Sequence, residues 1–377
     1  MSGGFWRAMF TPVSSRLHLL GVLAVIATPG MARATILTVG AGQTYATIAA
    51  AVTAASAGDT IDILAGTYVD QTADVTVPLT IQGIGGPVIF TQSPGIELPS
   101  LKGFLVIDAS ATVSGITFEN AAISDANGGD GAGIRQQQGD LTIINDSFIG
   151  NQNGILSTPN VYGTGSLTVS NSTFTDNGST SVQWGGYEHA IYATHIATLT
   201  VQNSVFQGTI LGHDIKSRAA TSIITGNYLD DGVTGTTSYA TDFSNGGAAT
   251  FTGNTIDQGL NSQNWSMVAY GAEGLVYSNN SLLVQGNIFN NTLAGAIGVN
   301  NFTTSVTATV TSNTFNCVPN PTSGPASLSN NIINLPGSAA CPVPEPAGFL
   351  PVLTALGFLF AGTAARRLIS AQGRTGG

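Results

Sequence analysis

Residues 212–218 read GHDIKSR, in a chain where only 8% of the residues are charged. Four cations fall between Thr35 and Val343: Lys102, Arg135, Lys216 and Arg218. Half of them sit in this one stretch, beside His213 and Asp214. An imidazole, a carboxylate and two cations can exchange protons, hold an anion or simply pair with one another. On a strand, alternation places Asp214, Lys216 and Arg218 on one face. Neighbours on that face stand about 6.7 Å apart, so Arg218 opposes the Lys216 ammonium by roughly 2.5 kcal/mol at an effective dielectric near 20. Asp214 offsets this from the other side, and Asp242 on the adjacent strand favours the charged form. Lys216 is therefore expected to stay a cation unless bound substrate changes that balance. It suits binding an acidic group better than accepting a proton. Hydrolysis of a glycosidic bond would need two carboxylates about 5–9.5 Å apart. Asp214 and Asp242 are candidates, with Glu188 and Glu273 at the rim, although salt bridges between strands use the same residues. His189 and His213 are too few for a zinc site and read as polar residues at a strand edge.

The elements that position these residues follow from a repeat. TVSGITF (112–118), TIINDSF (142–148), TVSNSTF (168–174), TVQNSVF (200–206), IITGNYL (223–229), TFTGNTI (250–256), LVQGNIF (283–289), TVTSNTF (309–315) and SLSNNII (327–333) share one pattern. Their spacing clusters in the twenties, which predicts stacked units that cannot bury a core alone. Alternation within each unit is that of a strand, and no long helical stretch separates the units. Asn145, Asn171, Asn203, Asn227, Asn254, Asn287 and Asn313 mark the bends. Asparagine tolerates left-handed backbone angles, and stacked copies can form a hydrogen-bonded ladder. This predicts an all-β fold, a right-handed parallel β-helix over residues 35–335. Within that range and before the first coil, Tyr45, Ile48, Val52 and Ala55 mark the apolar face of a helix ending at Gly58, placed to cap the open end. Residues 38–335 resemble pectate-lyase-like β-helix proteins, a resemblance of fold that does not by itself give an activity.

Both ends carry addresses. Arg7 and Arg16 precede the apolar run LHLLGVLAVIA (17–27), and ARA (32–34) supplies small residues for cleavage. Residues 1–34 therefore read as a signal peptide cut by signal peptidase. Residues 336–343 read as a linker. In 344–377, Pro344, Glu345 and Pro346 precede the uncharged, mostly apolar stretch 347–365, long enough for a transmembrane helix, and Arg366 and Arg367 follow. That order resembles the PEP-CTERM sorting signal. The resemblance implies an exosortase partner, a Gram-negative host that makes exopolysaccharide, a transient inner-membrane anchor, and delivery to the cell surface or matrix. Cys317 and Cys341, an even pair in an exported chain, are expected to form a disulfide.

The net charge is −10 over the chain. Between Thr35 and Val343, four cations face nineteen acids, a net of −15. Such a body does not bind nucleic acid, and it repels an anionic polysaccharide except at a local basic patch. Insertions at 119–133, 175–188, 230–238 and 257–266 enter at one phase of the repeat and should wall a groove. Trp184 and Trp265 lie in them, with Tyr187, Tyr239 and Tyr270 in or beside them. These aromatics suit stacking on sugar rings, or else cover the coil's own apolar surface. DANGGDG (125–131) misses the EF-hand spacing because Asp130 is one place late, so it reads as a flexible glycine loop. No cofactor is expected, with calcium the one ion left open.

Aligned strands predict an inward stack of Ile134, Ile155, Ile191 and Ile215, and an outward row of Arg135, Leu156, Tyr192, Lys216 and Asp242. Resemblance to β-helix polysaccharide lyases implies Lys216 as base, with Arg218 or Arg135 on a uronate carboxylate. Residues 212–274 also resemble a group of secreted β-helix proteins without an assigned activity, which adds Ser217 and Asn245 without giving them roles. The catalytic candidates are His213, Lys216, Arg218 and Asp242. The binding candidates are Arg135, Trp184, His189, Tyr192, Trp265, Tyr270 and Glu273. The reading is of an exported, monomeric protein that binds extracellular polysaccharide, with cleavage as lyase or hydrolase its stronger form. A non-catalytic carbohydrate-binding surface and a structural matrix protein remain the alternatives.

Overall fold

The computed structural model describes residues 33–335, 337, 338 and 341. Residues 1–32 of the expected signal peptide lie outside the described residues, as does most of the linker. So do Pro344, Glu345, Pro346, Arg366, Arg367 and the span 347–365. Among the described residues no helix is long and apolar enough to cross a membrane.

The repeat folds as a parallel β-helix in which a typical coil contributes three short strands. In one coil these are Leu141–Ile144, Ser147–Ile149 and Asn153–Ser157; in the next they are Ser166–Ser170, Thr173–Thr175 and Ile191–Ala193. Each pairs in parallel with its counterpart one coil on. The stack therefore has three faces. The first two form one 21-stranded sheet, because Thr60–Val69 and Leu79–Thr91 run across the bend between them. The third face is a separate ten-stranded sheet.

Phenylalanine stacking explains the register. Phe118, Phe148, Phe174 and Phe206 are fully buried, with successive ring centroids 5.3, 4.8 and 4.7 Å apart. Those gaps match the spacing of adjacent strands, so each coil covers the ring of the last. Leu229, Ile256, Phe289 and Phe315 continue the column. Burying each such side chain contributes roughly 1.5–3 kcal/mol.

The bends separate two jobs that the sequence pattern merges. Asn145, Asn171 and Asn203 hold left-handed φ values of 57°, 51° and 50° and turn the chain; they are not ladder residues. Gly226, Gly253 and Gly286 take over that position in later coils. The ladder uses the residue after the turn. There the Asn227 amide donates to Asn254 Oδ1 at 3.0 Å, Asn254 to Asn287 at 3.1 Å, and Asn287 to Asn313 at 2.9 Å. Earlier coils fill the same place with Asp146, Ser172 and Ser204.

A short helix, Ile48–Ala54, buries Ile48, Ala51 and Val52 in the core, with Tyr45 and Ala55 packed beside them. Thr47 Oγ1 accepts the Ala50 N–H at its start. It stops before Gly58, whose left-handed φ of 88° belongs to the turn into Thr60–Val69. At the other end Cys317 and Cys341 are disulfide-bonded, with Cα atoms 5.2 Å apart.

Candidate functional site

The third face carries the charged stretch. Its inward row runs Ile134, Ile155, Ile191, Ile215, Thr241 and Val268, and its outward row runs Arg135, Leu156, Tyr192, Lys216, Asp242 and Ala269. Long connections from the second face at 120–131, 176–190, 231–240 and 259–265 all enter on one flank. On the opposite flank most central coils use only three or four residues to lead back to the first face, as at 137–140, 194–197, 218–220 and 244–247. Longer connections are 158–165, 302–307 and, longest of the three, 271–280, which supplies Glu273.

Glu273 reaches back over two strands. Lys216 Nζ donates to its Oε1 at 2.9 Å, and Arg218 Nη2 lies 2.6 Å from its Oε2. Lys216 Nζ is also 4.0 Å from Asp242 Oδ2. The ring of Tyr192 lies beneath both cations, with Lys216 Nζ 5.7 Å and Arg218 Cζ 5.4 Å from its centroid. Burial alone would push the Glu273 carboxyl up. Hydrogen bonds from Arg218 and Lys216 outweigh that and hold it below the ordinary value. Burial pushes Asp242 up to about 6, against the Ser244 hydroxyl and Lys216, which favour its ionised form. Ser244 Oγ donates to Asp242 Oδ2 at 2.5 Å, and the buried Oδ1 has no partner.

His213 flanks Asp242, its Nε2 3.6 Å from Oδ2. Its Nδ1 accepts the Tyr239 N–H at 3.2 Å, which leaves the proton of the neutral ring on Nε2, facing the carboxylate. Burial, then Lys216, pushes His213 well below the ordinary value, so the ring is neutral near pH 7.

Several expected site residues lie elsewhere. Asp214 precedes the three-residue strand Ile215–Ser217, so strand alternation does not reach it. It is fully buried, accepts from Thr209 Oγ1 at 2.6 Å, and is pushed well up by burial and by Asp231. It therefore neither shares the outward face nor offsets Arg218. Tyr270 is interior: it registers with Phe243 on the inward side, and its hydroxyl donates to the Gly247 carbonyl at 2.8 Å. His189 does stack on His213, with centroids 4.6 Å apart, but it is sealed beneath the bend and its Nδ1 accepts the His213 N–H. Glu188 is not at a rim; it is buried, and burial lifts it to about 7.

Arg135 shares the outward row, but Leu156 and Tyr192 separate it from Lys216, and it pairs with Asp130. Asp125 accepts from Ser181, so both carboxylates of the DANGGDG loop already have partners. Trp184 is half-buried and packs over Gly129, where an added Cβ would stand 2.1 Å from its ring. Trp265 remains 65% exposed. Ser217 is buried against Ser222, and the Asn245 amide reaches toward the Glu273 carbonyl at 3.5 Å. Sequence reasoning passed over Ser244 and Tyr277, whose hydroxyls bond Asp242 and the Arg218 carbonyl. The ten-residue connection at 271–280, against four residues in the coil before and six in the coil after, is the signal that could have marked Tyr277 and the second flank.

No protein-family model and no curated protein sequence matches this chain. Solved structures do resemble it. An alginate lyase from Paenibacillus sp. str. FPU-7 is 14% identical with a TM-score of 0.55, covering 80% of this chain and 99% of its own. The PL6 family alginate lyase AlyGC is 16% identical with a TM-score of 0.44, covering 80% of this chain and 40% of its own. At 14% identity the likeness to the first is one of fold alone: this chain has a parallel β-helix similar to that of the Paenibacillus alginate lyase.

Proposed function

We propose that this protein is exported, sorted to the cell envelope, and processes an acidic extracellular polysaccharide on its third face. The observation that carries the reading is the convergence of Lys216 and Arg218 on a single carboxylate beside Asp242. Two cations fixed 2.9 and 2.6 Å from carboxylate oxygens suit a uronate equally well. They also give an acidic body the local basic patch that an anionic polymer needs.

Cleavage in this reading is a β-elimination. Lys216 and Arg218 neutralise the uronate carboxylate, which acidifies the proton on the neighbouring carbon. Asp242, lifted to about 6, is the proton acceptor suited to neutral pH. The C–H electron pair forms the new C=C bond and the β C–O bond breaks. The leaving oxygen takes a proton from water, and an unsaturated uronate end remains. Lys216 binds and neutralises here and does not act as base, because its ammonium donates to Glu273 and faces Asp242. Calcium, if the protein uses it, would have to displace partners at Asp125 or Asp130. Reducing-end and unsaturated-uronate assays on a polysaccharide panel, with Lys216→Ala as control, test the reading. Products that persist unchanged in Lys216→Ala would defeat it.

Non-catalytic binding is the second reading. It is favoured by the exposed Trp265 together with an Asp242 side chain only 3% exposed. Glycan binding that survives Lys216→Ala but is lost in Trp265→Ala would select it.

A further inference from the structure

Glu273 occupies the place that the proposed function gives to a sugar carboxylate, and the inference here rests on that reading. We infer that Glu273 is an internal stand-in for a ligand carboxylate: it fills the Lys216–Arg218 cradle when no acidic sugar is bound and rotates out when one arrives. It thereby sets a threshold for carboxylated ligands.

Three observations support this. The first is that the cradle is two-pronged. One carboxylate takes Lys216 Nζ on Oε1 and Arg218 Nη2 on Oε2, as a bidentate guest would. The second is that the occupant is the movable part. The backbone of residues 271–280 is pinned to the preceding coil by Gly271 N–H to the Phe243 carbonyl, Glu273 N–H to the Ser244 carbonyl and Val276 N–H to the Asn245 carbonyl. Tyr277 adds a hydroxyl bond to the Arg218 carbonyl. The loop therefore stays in place, while the Glu273 side chain is 36% exposed and already meets solvent. The third is that the exchange conserves charge. Removing Glu273 alone would strand two cations, of which Lys216 is mostly buried, and that is costly. Replacing one carboxylate by another keeps both ion pairs. A neutral sugar cannot make that replacement, so the cradle discriminates between carboxylated and neutral glycans by exchange. Glu273 is thus a specificity-determining residue and not a proton-transfer group.

An internal competitor weakens apparent affinity by the fraction of molecules in which the cradle is free. Removing its charge should tighten binding of a carboxylated ligand by about tenfold. The test uses glucuronate as the probe and glucose as its neutral counterpart. Reductive methylation of Lys216, read by mass spectrometry, is followed in the wild type, Glu273→Gln and Glu273→Asp. The expected result is that glucuronate slows methylation in Glu273→Gln at about one tenth of the concentration needed by the wild type. Glu273→Asp should fall between them, and glucose should protect none. Equal protection in all three proteins, weaker protection in Glu273→Gln, or none at all would overturn the inference. Polysaccharide assays on the same proteins separate the two ideas. Uronate cleavage or binding without the Glu273→Gln shift removes the stand-in and leaves the function. Cradle protection without any polysaccharide activity does the reverse.

Discussion

Asp146 stands in the asparagine ladder, and replacing it with asparagine should stabilise the protein in a way that depends on pH. The carboxyl is buried, accepts the Ile116 N–H at 2.7 Å through Oδ1, and leaves Oδ2 without a partner. In every later coil from Asn227 to Asn313 the equivalent amide nitrogen donates twice, to a carbonyl of the previous coil and to the next ladder residue. Burial pushes Asp146 from the ordinary 3.8 up to about 7, against the hydrogen bonds from Ile116 and Ile144. A carboxyl whose folded value is raised contributes its full stability below pH 4 and loses it as pH climbs through about 7. At about 1.4 kcal/mol per pH unit, the loss across that window is about 4 kcal/mol. Asp146→Asn has no proton to lose and gains donors worth about 1 kcal/mol each. Urea unfolding of both proteins from pH 4 to 8 is the assay. The wild type should fall away from the variant as pH rises, with the gap near its smallest at pH 4. A gap that is flat across this range, or a variant less stable at pH 7, would refute the argument.

Three further outcomes are expected. Asp242→Asn should abolish product formation while leaving glycan binding intact; in the wild type, turnover should rise with pH through about 6 as the carboxylate ionises, read from initial rates. Cys317→Ser opens a link across 24 residues and should cost about 3 kcal/mol in denaturant unfolding under oxidising conditions, with no difference once both proteins are reduced. Trp265→Ala should weaken binding of oligosaccharides with little change in the melting temperature, because the residue is mostly exposed; calorimetry on the two proteins reads this.

Periodicity made the coil legible. The buried marks from Phe118 to Phe315 fall in one register, and the outward row from Arg135 to Asp242 follows from aligning His-x-Ile in two consecutive strands. Errors arose where strand logic was carried past a strand's end. Asp214 is one residue outside Ile215–Ser217, and at that bend the chain turns its side chain inward. Tyr270 lies near the insertions in sequence, but alternation from Ala269 sends it into the core. The asparagines fall into one sequence class because a turn residue and a ladder residue sit side by side. Only φ separates Asn203 from the position that Asn227 fills. Glu273 reads from sequence as a rim acid, but its partners are not legible there. Contact across 57 positions with Lys216 depends on how a long loop folds back, which no local pattern encodes.

A crystal structure with a carboxylated oligosaccharide bound tests the central claim most directly. The account predicts the sugar lying along the outward row of the third face. One carboxylate should sit between Lys216 Nζ and the Arg218 guanidinium, the Glu273 side chain should be turned into solvent, and Asp242 should face the adjacent ring carbon. A saccharide seated on another face, or one bound with the Glu273 ion pairs intact, would contradict it.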